Sequence, residues 1–257
     1  MLRITDAELA ARQLDSQLAL FEAQLAGGRD SFAAWPADGV LVTCCPRAPD
    51  RSLPNAVLAR DPAALTDALL DEIGARYDAA GVRAWTVWVR PGDDALSERL
   101  AARGHVHDAE PMLMAATMDE LDLGPAAGLD LDPAPTWETV AALNDAAYGL
   151  DGEVAAMLEG VDDSPAMLWV ARVGGAPAAC AVVRPHEGDA EVFWVAVAPE
   201  ARGRGLAGAL MRRSLAAARD AGCTTASLEA TKLGLPVYER MGFRSLGRFG
   251  MWERRQV

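Results

Sequence analysis

The stretch VFWVAVAPEARGRGLAGALM, residues 192–211, decides how this chain folds. Its apolar start is typical of a buried strand, and the apolar residues after Gly205 recur at helical spacing. The turn between strand and helix carries glycines and arginines: Arg202, Gly203, Arg204, Gly205 and Gly208. Glycines let backbone N–H groups approach a ligand closely, and the first N–H groups of a helix are unpaired and partly positive. The stretch therefore predicts an anion cradle suited to a pyrophosphate.

This cradle is neither of two common glycine-rich phosphate loops. It lacks the GxxxxGK[ST] pattern of a P-loop, and arginines interrupt the GxGxxG pattern of a dinucleotide site. A second segment, PVYERMGF over residues 236–243, follows after one predicted helix and one predicted strand. In order and spacing, the two segments resemble motifs of the GNAT N-acetyltransferase superfamily. Arg202, Gly205 and Ala207 match its Arg/Gln-x-x-Gly-x-Gly/Ala pattern, and the second segment matches its Tyr-x-x-x-Gly-Phe pattern.

The resemblance covers roughly residues 129–253 and implies a fold and a reaction. The fold is α/β (α+β), with a mixed, mostly antiparallel twisted sheet flanked by helices. The reaction is direct acetyl transfer from acetyl-CoA, as cosubstrate, to an amine in a ternary complex, without a metal. Backbone groups of Val195 and Val197 would hold the pantetheine arm and polarise the thioester carbonyl. The pyrophosphate would bind to the turn and the first helical residues: Arg202, Gly203, Arg204, Gly205, Leu206, Ala207 and Gly208.

The resemblance also supplies two catalytic candidates. Tyr238 would protonate the leaving thiolate, because a tyrosine pKa near 10 keeps the phenol protonated at neutral pH. The alternative is that Tyr238 only packs. Glu191, which lies 11 residues before Arg202, would act as the general base; the alternative is a solvated residue at the end of a hairpin. Weaker candidates for contacting the amine are Glu229, then Glu153 and Glu159.

One cofactor-binding position departs from the family pattern. Many relatives carry an asparagine seven residues before the tyrosine, where its side chain helps to hold CoA. In this chain the position is Thr231. A hydroxyl still forms hydrogen bonds, but the departure weakens any transfer of a particular substrate to this chain.

The first half of the chain looks like a faded copy of the second half. With an offset of 141 residues, Leu65 falls on Leu206 and Gly81 on Gly222. The functional positions disagree: Asp61-Pro62-Ala63-Ala64 stands in place of the cradle, and, with three extra residues allowed in the loop, Leu100 stands in place of the tyrosine. We therefore expect a GNAT-like domain without a CoA site over residues 1–123 and a catalytic GNAT domain over residues 124–257. The first domain would complete the acceptor cleft or stabilise its partner.

Composition and charge exclude several classes of protein. The 257 residues are 51% hydrophobic and carry a net charge of −13, which argues against a nucleic-acid or anionic-membrane binder. No apolar run reaches the length of a transmembrane helix, and the N-terminus lacks a signal sequence, so we expect a cytoplasmic protein. Four cysteines without a CxxC pair and three scattered histidines predict neither a disulfide framework nor a metal site.

Hydrophobic patterning predicts the secondary structure. Helices are expected over residues 5–26, 62–80, 93–103, 137–147, 153–158, 205–221 and 234–241. Strands are expected over residues 40–44, 56–58, 84–89, 111–118, 167–173, 177–183, 191–197, 224–230 and 243–252.

The sequence as a whole predicts an acetyl-CoA-dependent N-acetyltransferase that acts on a primary amine of a small molecule. The acidic charge of the chain favours a cationic acceptor. Two alternatives stay open: a non-catalytic acyl-CoA-binding regulatory module, and an acetyltransferase that acts on protein amines. The oligomeric state is left as monomer or homodimer.

Overall fold

The computed structural model describes residues 4–124 and 128–256, and its chain divides into two compact units. The larger unit comprises Met1–Gln17, Met112–Glu159 and Asp163–Leu246, and the smaller unit comprises Leu18–Pro111, Gly160–Asp162 and Gly247–Val257. This division differs from the sequence-predicted one into residues 1–123 and 124–257. The reason is that each half of the chain contributes one strand to the sheet of the other half.

Helices and strands alternate along the chain. The helices are α1 (Asp6–Leu20), α2 (Asp67–Ala79), α3 (Asp94–Ala102), α4 (Trp137–Tyr148), α5 (Glu153–Leu158), α6 (Leu206–Asp220) and α7 (Leu235–Met241). The strands are β1 (Phe32–Ala37), β2 (Val40–Cys44), β3 (Ala56–Ala59), β4 (Ala84–Val89), β5 (Val106–Ala109), β6 (Met112–Thr117), β7 (Asp130–Leu131), β8 (Met167–Val173), β9 (Ala176–His186), β10 (Asp189–Val197), β11 (Thr225–Ala230), β12 (Arg244–Arg248) and β13 (Gly250–Arg255). Phe21–Leu25 continues α1 as a π-helix.

Side-chain caps fix where several helices begin. The Thr66 hydroxyl accepts a hydrogen bond from a backbone N–H in the first turn of α2, and Asp93 and Thr136 do the same for α3 and α4. Each cap satisfies a donor that the helix itself leaves unpaired. At the other end, Gly149 closes α4 in the left-handed conformation, which glycine adopts without steric cost.

The smaller unit has a six-stranded sheet in the order β1-β2-β3-β4-β13-β5. β3 and β4 are parallel, whereas β13 pairs antiparallel with both β4 and β5. Every residue of β4 is buried, as a central strand covered on both faces requires. Its core also includes Val42, Val57, Ile73, Val87 and Leu100.

The larger unit repeats this arrangement in a seven-stranded sheet ordered β12-β6-β11-β10-β9-β8-β7. β10 and β11 are parallel, β6 pairs antiparallel with β11, and β8, β9 and β10 form an antiparallel meander. Each sheet therefore contains one parallel pair of strands, and the neighbouring strand across the sheet comes from the other half of the chain. This shared topology agrees with the predicted repeat. One core of the larger unit includes Val183, Val192, Leu210, Leu215 and Leu228.

The structure changes some of the predicted elements. The helix predicted from residue 62 begins at Asp67, because Asp61 caps a separate 3-10 turn over Pro62–Ala64. The strand predicted over 243–252 is two strands, β12 and β13, which lie in different sheets. Strands β1, β5 and β7 have no counterpart among the predictions. No helix within residues 4–124 and 128–256 combines the length and apolar character needed to cross a bilayer.

Candidate active site

The central feature of the larger unit is the divergence of β10 and β11. The two strands pair in parallel over four positions, which end at Val192 opposite Leu228. Beyond that point the pairing of β10 with β9 is interrupted between Phe193 and Ala196, and Trp194 has a φ of +52°. A positive φ is unusual for a bulky residue and marks a β-bulge that bends the strand away. The gap leaves backbone groups of β10 without partners in β11.

Helix α4 and strand β9 hold this bulge. The Cys180 thiol donates to the Trp194 carbonyl at 3.2 Å, and the Asn144 amide donates to the Cys180 sulfur at 3.4 Å. The Tyr148 hydroxyl lies 3.5 Å from the Val195 carbonyl oxygen. Burial raises the pKa of Cys180 to about 12, so its sulfur keeps the proton that it donates. Of this group the sequence identified only Val195 as a site residue.

The glycine-rich turn lies at the start of α6, as predicted. Gly203 and Gly205 have φ values of +76° and +73°, and a Cβ atom at either position would meet no heavy atom within 4 Å. Gly205 is the N-cap of α6, so no side chain caps the first N–H groups of this 15-residue helix. An open glycine turn before uncapped N–H groups fits a diphosphate. Leu206, Ala207 and Gly208, which were predicted to bind acetyl-CoA, lie in the first helical turn of α6.

The two arginines of the turn are exposed, and each donates a hydrogen bond to a backbone carbonyl at its edge. Arg202 donates to the Ala147 carbonyl at 2.7 Å, and Arg204 donates to the Glu200 carbonyl at 3.4 Å. Neither contact pairs the guanidinium with a carboxylate. The charge of both side chains is therefore available to an anion in the turn.

Tyr238 lies on α7 and is buried, with 8% of its surface exposed. Its ring packs edge-on against Phe243, at 6.1 Å between centroids. Burial raises the pKa of the phenol well above its usual value, and the neighbouring Tyr148 phenol raises it further. Tyr238 is therefore protonated at neutral pH, as a proton donor must be. At the start of α7, Thr231 is exposed, and its hydroxyl accepts a hydrogen bond from the Gly234 N–H at 3.3 Å.

Glu191 does not lie at a solvated hairpin end, which was the alternative to its predicted role as the base. It is fully buried, and the Ser227 hydroxyl oxygen lies 2.6 Å from its Oε2. Burial raises the pKa of Glu191 well above its usual value, and the carboxyl groups of Glu229 and Asp189 raise it further. Both causes favour the neutral form of the Glu191 carboxyl group. A carboxyl group in its neutral form does not accept a proton, so this environment opposes the predicted role of Glu191 as a general base.

Sequence reasoning missed the contribution of α1 to this region. Ser16 donates to Asp189 at 2.9 Å, and Gln13 donates to Glu229. Both helix residues are fully buried although they are polar. The signal was present in the sequence, because Gln13, Ser16 and Gln17 stand at helical spacing among the apolar residues of α1. Of the weaker candidates, Glu153 and Glu159 lie at the two ends of α5 and only Glu229 lies on the β10–β11 pair.

The corresponding turn of the smaller unit is built differently. The Asp61 carboxylate accepts a hydrogen bond from the Ala63 N–H at 2.9 Å, so the chain's own anion occupies the start of the turn. Leu100, which aligns with Tyr238, is fully buried in the core of that unit. Both observations support the prediction that the smaller unit has no CoA site.

Comparison with known proteins identifies the family of the larger unit. Residues 164–245 match the family model described as Acetyltransferase (GNAT) domain. This range contains β10, the glycine-rich turn, α6 and Tyr238. The chain therefore carries a GNAT acetyltransferase domain in its second half. None of the curated proteins matches the chain.

Solved structures share the fold of nearly the whole chain. A GCN5-related N-acetyltransferase from Kribbella flavida is 20% identical, with a TM-score of 0.67 over 97% of this chain and 96% of that one. A GCN5-related N-acetyltransferase from Sphaerobacter thermophilus is 14% identical, with a TM-score of 0.57 over 86% and 82%. A tandem GNAT protein from the clavulanic acid biosynthesis pathway is 16% identical, with a TM-score of 0.51 over 95% of both chains. The predicted tandem GNAT-like fold is thereby confirmed.

Within the part of the chain that the structure describes, no group of three or more His, Cys, Asp or Glu side chains is arranged to hold a metal ion. All four cysteines are buried free thiols.

Proposed function

We propose that this chain, whose residues 164–245 form a GNAT acetyltransferase domain, transfers an acetyl group from acetyl-CoA to a primary amine of a small molecule. The observation that carries the proposal is the combination of three features in one unit. These are the open glycine turn at the start of α6, the divergence of β10 from β11, and a buried, protonated tyrosine on α7.

Each feature has a separate task in this reaction. The turn from Arg202 to Gly208 binds the pyrophosphate of acetyl-CoA through helix N–H groups and two guanidinium groups. Backbone groups of Val195, within the bulge, and of Val197, just beyond it, orient the pantetheine arm. Acetyl-CoA supplies an activated acyl group with a thiolate as its leaving group.

Tyr238 donates its proton to the leaving sulfur. Its buried position keeps the phenol protonated until the thiolate forms, and exclusion of water strengthens the hydrogen bond to that sulfur. The intact tyrosine beside an intact glycine turn favours an enzyme over a module that only binds acyl-CoA. The net charge of −13 favours a cationic amine as the acceptor.

The test begins with acetyl-CoA binding by calorimetry, using Gly205→Asn and Gly81→Asn. Both glycines have nearly the same φ, +73° and +72°, and a Cβ atom added to either would meet no heavy atom within 4 Å. Asparagine tolerates the left-handed conformation, so the two substitutions carry similar backbone costs. Only Gly205→Asn places a side chain in the anion cradle. We expect it to weaken acetyl-CoA binding at least about tenfold, the loss of roughly one charge-assisted hydrogen bond, while Gly81→Asn leaves binding unchanged.

The second step is a thiol-release assay with acetyl-CoA and a panel of small amines. Amine-dependent release of thiol supports the proposal. Unchanged acetyl-CoA affinity in Gly205→Asn would overturn the cofactor site. Tight acetyl-CoA binding without thiol release for any small amine, but with release for peptide amines, would replace the small-molecule acceptor by a protein.

A further inference from the structure

Three carboxyl groups meet on one face of the larger unit. Asp189 and Glu191 are two residues apart on β10 and therefore point to the same face, and Glu229 is two residues beyond Ser227 on β11. Glu191 is opposite Ser227 in the parallel pairing, which brings the two strands' polar side chains together. Helix α1 covers this face through Gln13 and Ser16. Three carboxyl groups in so dry a place cannot all be ionised.

The hydrogen bonds around Ser227 show that the cluster holds a proton. The Ser227 hydroxyl oxygen lies within hydrogen-bond distance of Glu191 Oε2, at 2.6 Å, and of Asp189 Oδ2. A hydroxyl has one proton and can donate to only one of these two carboxyl groups. The other carboxyl group must therefore be protonated and donate to the serine oxygen. This argument depends on the positions of the atoms alone.

The proton belongs to Glu191 rather than to Asp189. Asp189 accepts hydrogen bonds from Ser16 at 2.9 Å and from Thr225 at 2.7 Å, which stabilise its ionised form. Glu191 is deeper, and among the described residues its Oε1 receives no N–H or hydroxyl donor. The Glu229 carboxyl lies within hydrogen-bond reach of Glu191 and, like Asp189, disfavours a charge there. A protonated Glu191 donates to Ser227 and places no second negative charge beside Glu229.

Glu229 differs from the other two carboxyl groups in its position. It is the first residue of β11 beyond the last pair with β10, so it lies where the two strands begin to diverge. It is partly exposed, whereas Asp189 and Glu191 are buried. Gln13 of α1 donates to its Oε1 and fixes its orientation. Of the three carboxyl groups, that of Glu229 therefore lies nearest to the gap along the strands.

Charged groups on the neighbouring elements do not neutralise the cluster. Arg184 of β9 is opposite Glu191, but its guanidinium pairs with Asp163 at 3.1 Å. Arg12 and Asp15 of α1 and His186 and Glu187 of the β9–β10 turn line a cavity of about 210 Å³ beside Asp189, at the other end of the cluster from Glu229.

We propose that Glu229 takes the proton from the acceptor's ammonium group and that Glu191, held as a neutral carboxylic acid by its hydrogen bond to Ser227, keeps the neighbouring Glu229 ionised for that role. This inference rests on the proposed acetyl transfer and names the base for it. It replaces the sequence-based assignment of Glu191 as the base.

The protons balance as follows. An ammonium acceptor loses one proton to the Glu229 carboxylate and becomes a neutral amine, whose nitrogen forms a bond to the acetyl carbon while the carbon–sulfur bond breaks. Tyr238 gives its proton to the leaving sulfur. The nitrogen, now bonded to the acetyl carbon, then loses its second proton to the Tyr238 phenolate. The products are the amide, the free thiol and a protonated Glu229, which returns its proton to solvent.

The test compares the pH dependence of kcat/KM for the unaltered protein, Glu229→Gln and Glu191→Gln. Glutamine has the shape of a neutral carboxylic acid and can donate in its place, so Glu191→Gln preserves the form that we assign. We expect Glu229→Gln to lower kcat/KM at neutral pH at least about tenfold and to remove the limb that rises with pH on the acidic side. Glu191→Gln keeps that limb. The opposite pattern would overturn the proposal.

A second measurement does not depend on activity. Infrared spectra of the protein alone at neutral pH report the carbonyl band of a protonated carboxylic acid. We expect the band in the unaltered protein and in Glu229→Gln, and we expect Glu191→Gln to lack it. If the band instead disappears in Glu229→Gln and persists in Glu191→Gln, the proton belongs to Glu229 and the proposal is wrong. If no amine is acetylated, the proposed function fails, whereas the infrared result still decides the state of Glu191.

Chemical rescue separates the two roles if glutamine disturbs the fold. Glu229 is partly exposed, so added formate should restore part of the activity of Glu229→Ala. Glu191 is fully buried, and formate should not restore Glu191→Ala. Rescue of Glu191→Ala alone would identify Glu191 as the base.

Discussion

Gly234→Ala should displace the proposed proton donor without touching the cofactor turn. Gly234 has φ −78° and ψ −33°, which alanine adopts freely, so the backbone does not oppose the change. The added Cβ would lie 2.8 Å from Cε2 of Tyr238. Carbon atoms in contact are about 3.5–4.0 Å apart. The tyrosine ring must therefore shift by about 1 Å, the difference between these separations.

A shift of this size has a large effect on catalysis. Misplacement of a reacting group by about 1 Å can lower a rate by about 100-fold. We expect kcat of Gly234→Ala to fall between about tenfold and 100-fold, with acetyl-CoA affinity changed little. The assay is steady-state thiol release, combined with calorimetry for acetyl-CoA.

A double-mutant cycle shows whether the effect acts through the phenol. Tyr238→Phe alone should lower kcat by at least about tenfold, because a general acid contributes about 10²–10⁴-fold. Adding Gly234→Ala to Tyr238→Phe should then cost little more, since the group that it displaces is already gone. Gly74→Ala is the matched control, because its Cβ meets only an ordinary contact at 3.8 Å. Additive losses in the double variant, or kcat within about twofold of the unaltered protein in Gly234→Ala, would refute a catalytic role for the position of Tyr238.

Two further predictions concern the bulge and a buried histidine. Cys180→Ala removes the donor to the Trp194 carbonyl and should weaken acetyl-CoA binding several-fold. The control, Cys223→Ala, removes a comparable buried thiol that is bonded to the Asp189 carbonyl at 3.5 Å, and it should leave the affinity unchanged. Equal affinities of the two variants in calorimetry would show that the Cys180 thiol does not hold the bulge. His105 is buried, and burial lowers its pKa to about 4, below its value in the unfolded chain. The unfolded chain therefore binds the proton first, and the free energy of unfolding should fall as the pH drops from about 6.5 to about 4, the unfolded and folded pKa values. His105→Phe should flatten that dependence in urea titrations, and an unchanged slope would assign it to other groups.

Most helices and strands could be predicted from the local sequence because the local spacing of apolar and turn residues largely determines where they form. The strands at Val40–Cys44, Ala84–Val89 and Met167–Val173 are compact apolar runs between turn residues, and the structure has them at the predicted bounds. The start of α2 was misplaced because two capping patterns compete. Asp61-Pro62 has the pattern of an N-cap followed by a proline in the first helical turn, but the N-cap of α2 is Thr66.

The exchange of strands could not be predicted from local patterns. β6 pairs with β11 and β13 with β4, in each case with partners more than 100 residues away, and such pairing leaves no local signal in the sequence. The predicted strand over 243–252 was split for a related reason: Gly247, with φ +125°, turns the chain before β13. A Cβ there would lie 2.5 Å from a Pro91 atom, so only glycine permits the turn.

The candidate site was predictable where it consists of one continuous segment. The glycine turn, the helix that follows and Tyr238 lie within residues 202–238, and their spacing alone identified them. The protonation state of Glu191 depends instead on residues from three distant segments. Its cover comes from α1, more than 170 residues earlier in the chain, and its neighbours come from β11. Side-chain identity could nominate Glu191, but only the packing shows which groups surround its carboxyl group.

The contrast between the turns of the two units follows from one physical requirement. The first N–H groups of a helical turn need an acceptor, and a unit can supply one itself or leave the place to a ligand. In the smaller unit the Asp61 carboxylate accepts from the Ala63 N–H, so an external phosphate would meet a negative charge and lose the donor. In the larger unit Gly203 and Gly205 leave the same kind of turn open. Because a ligand stabilises only the conformation that binds it, acetyl-CoA should protect the larger unit's amides from hydrogen exchange and leave those around Asp61 unaffected.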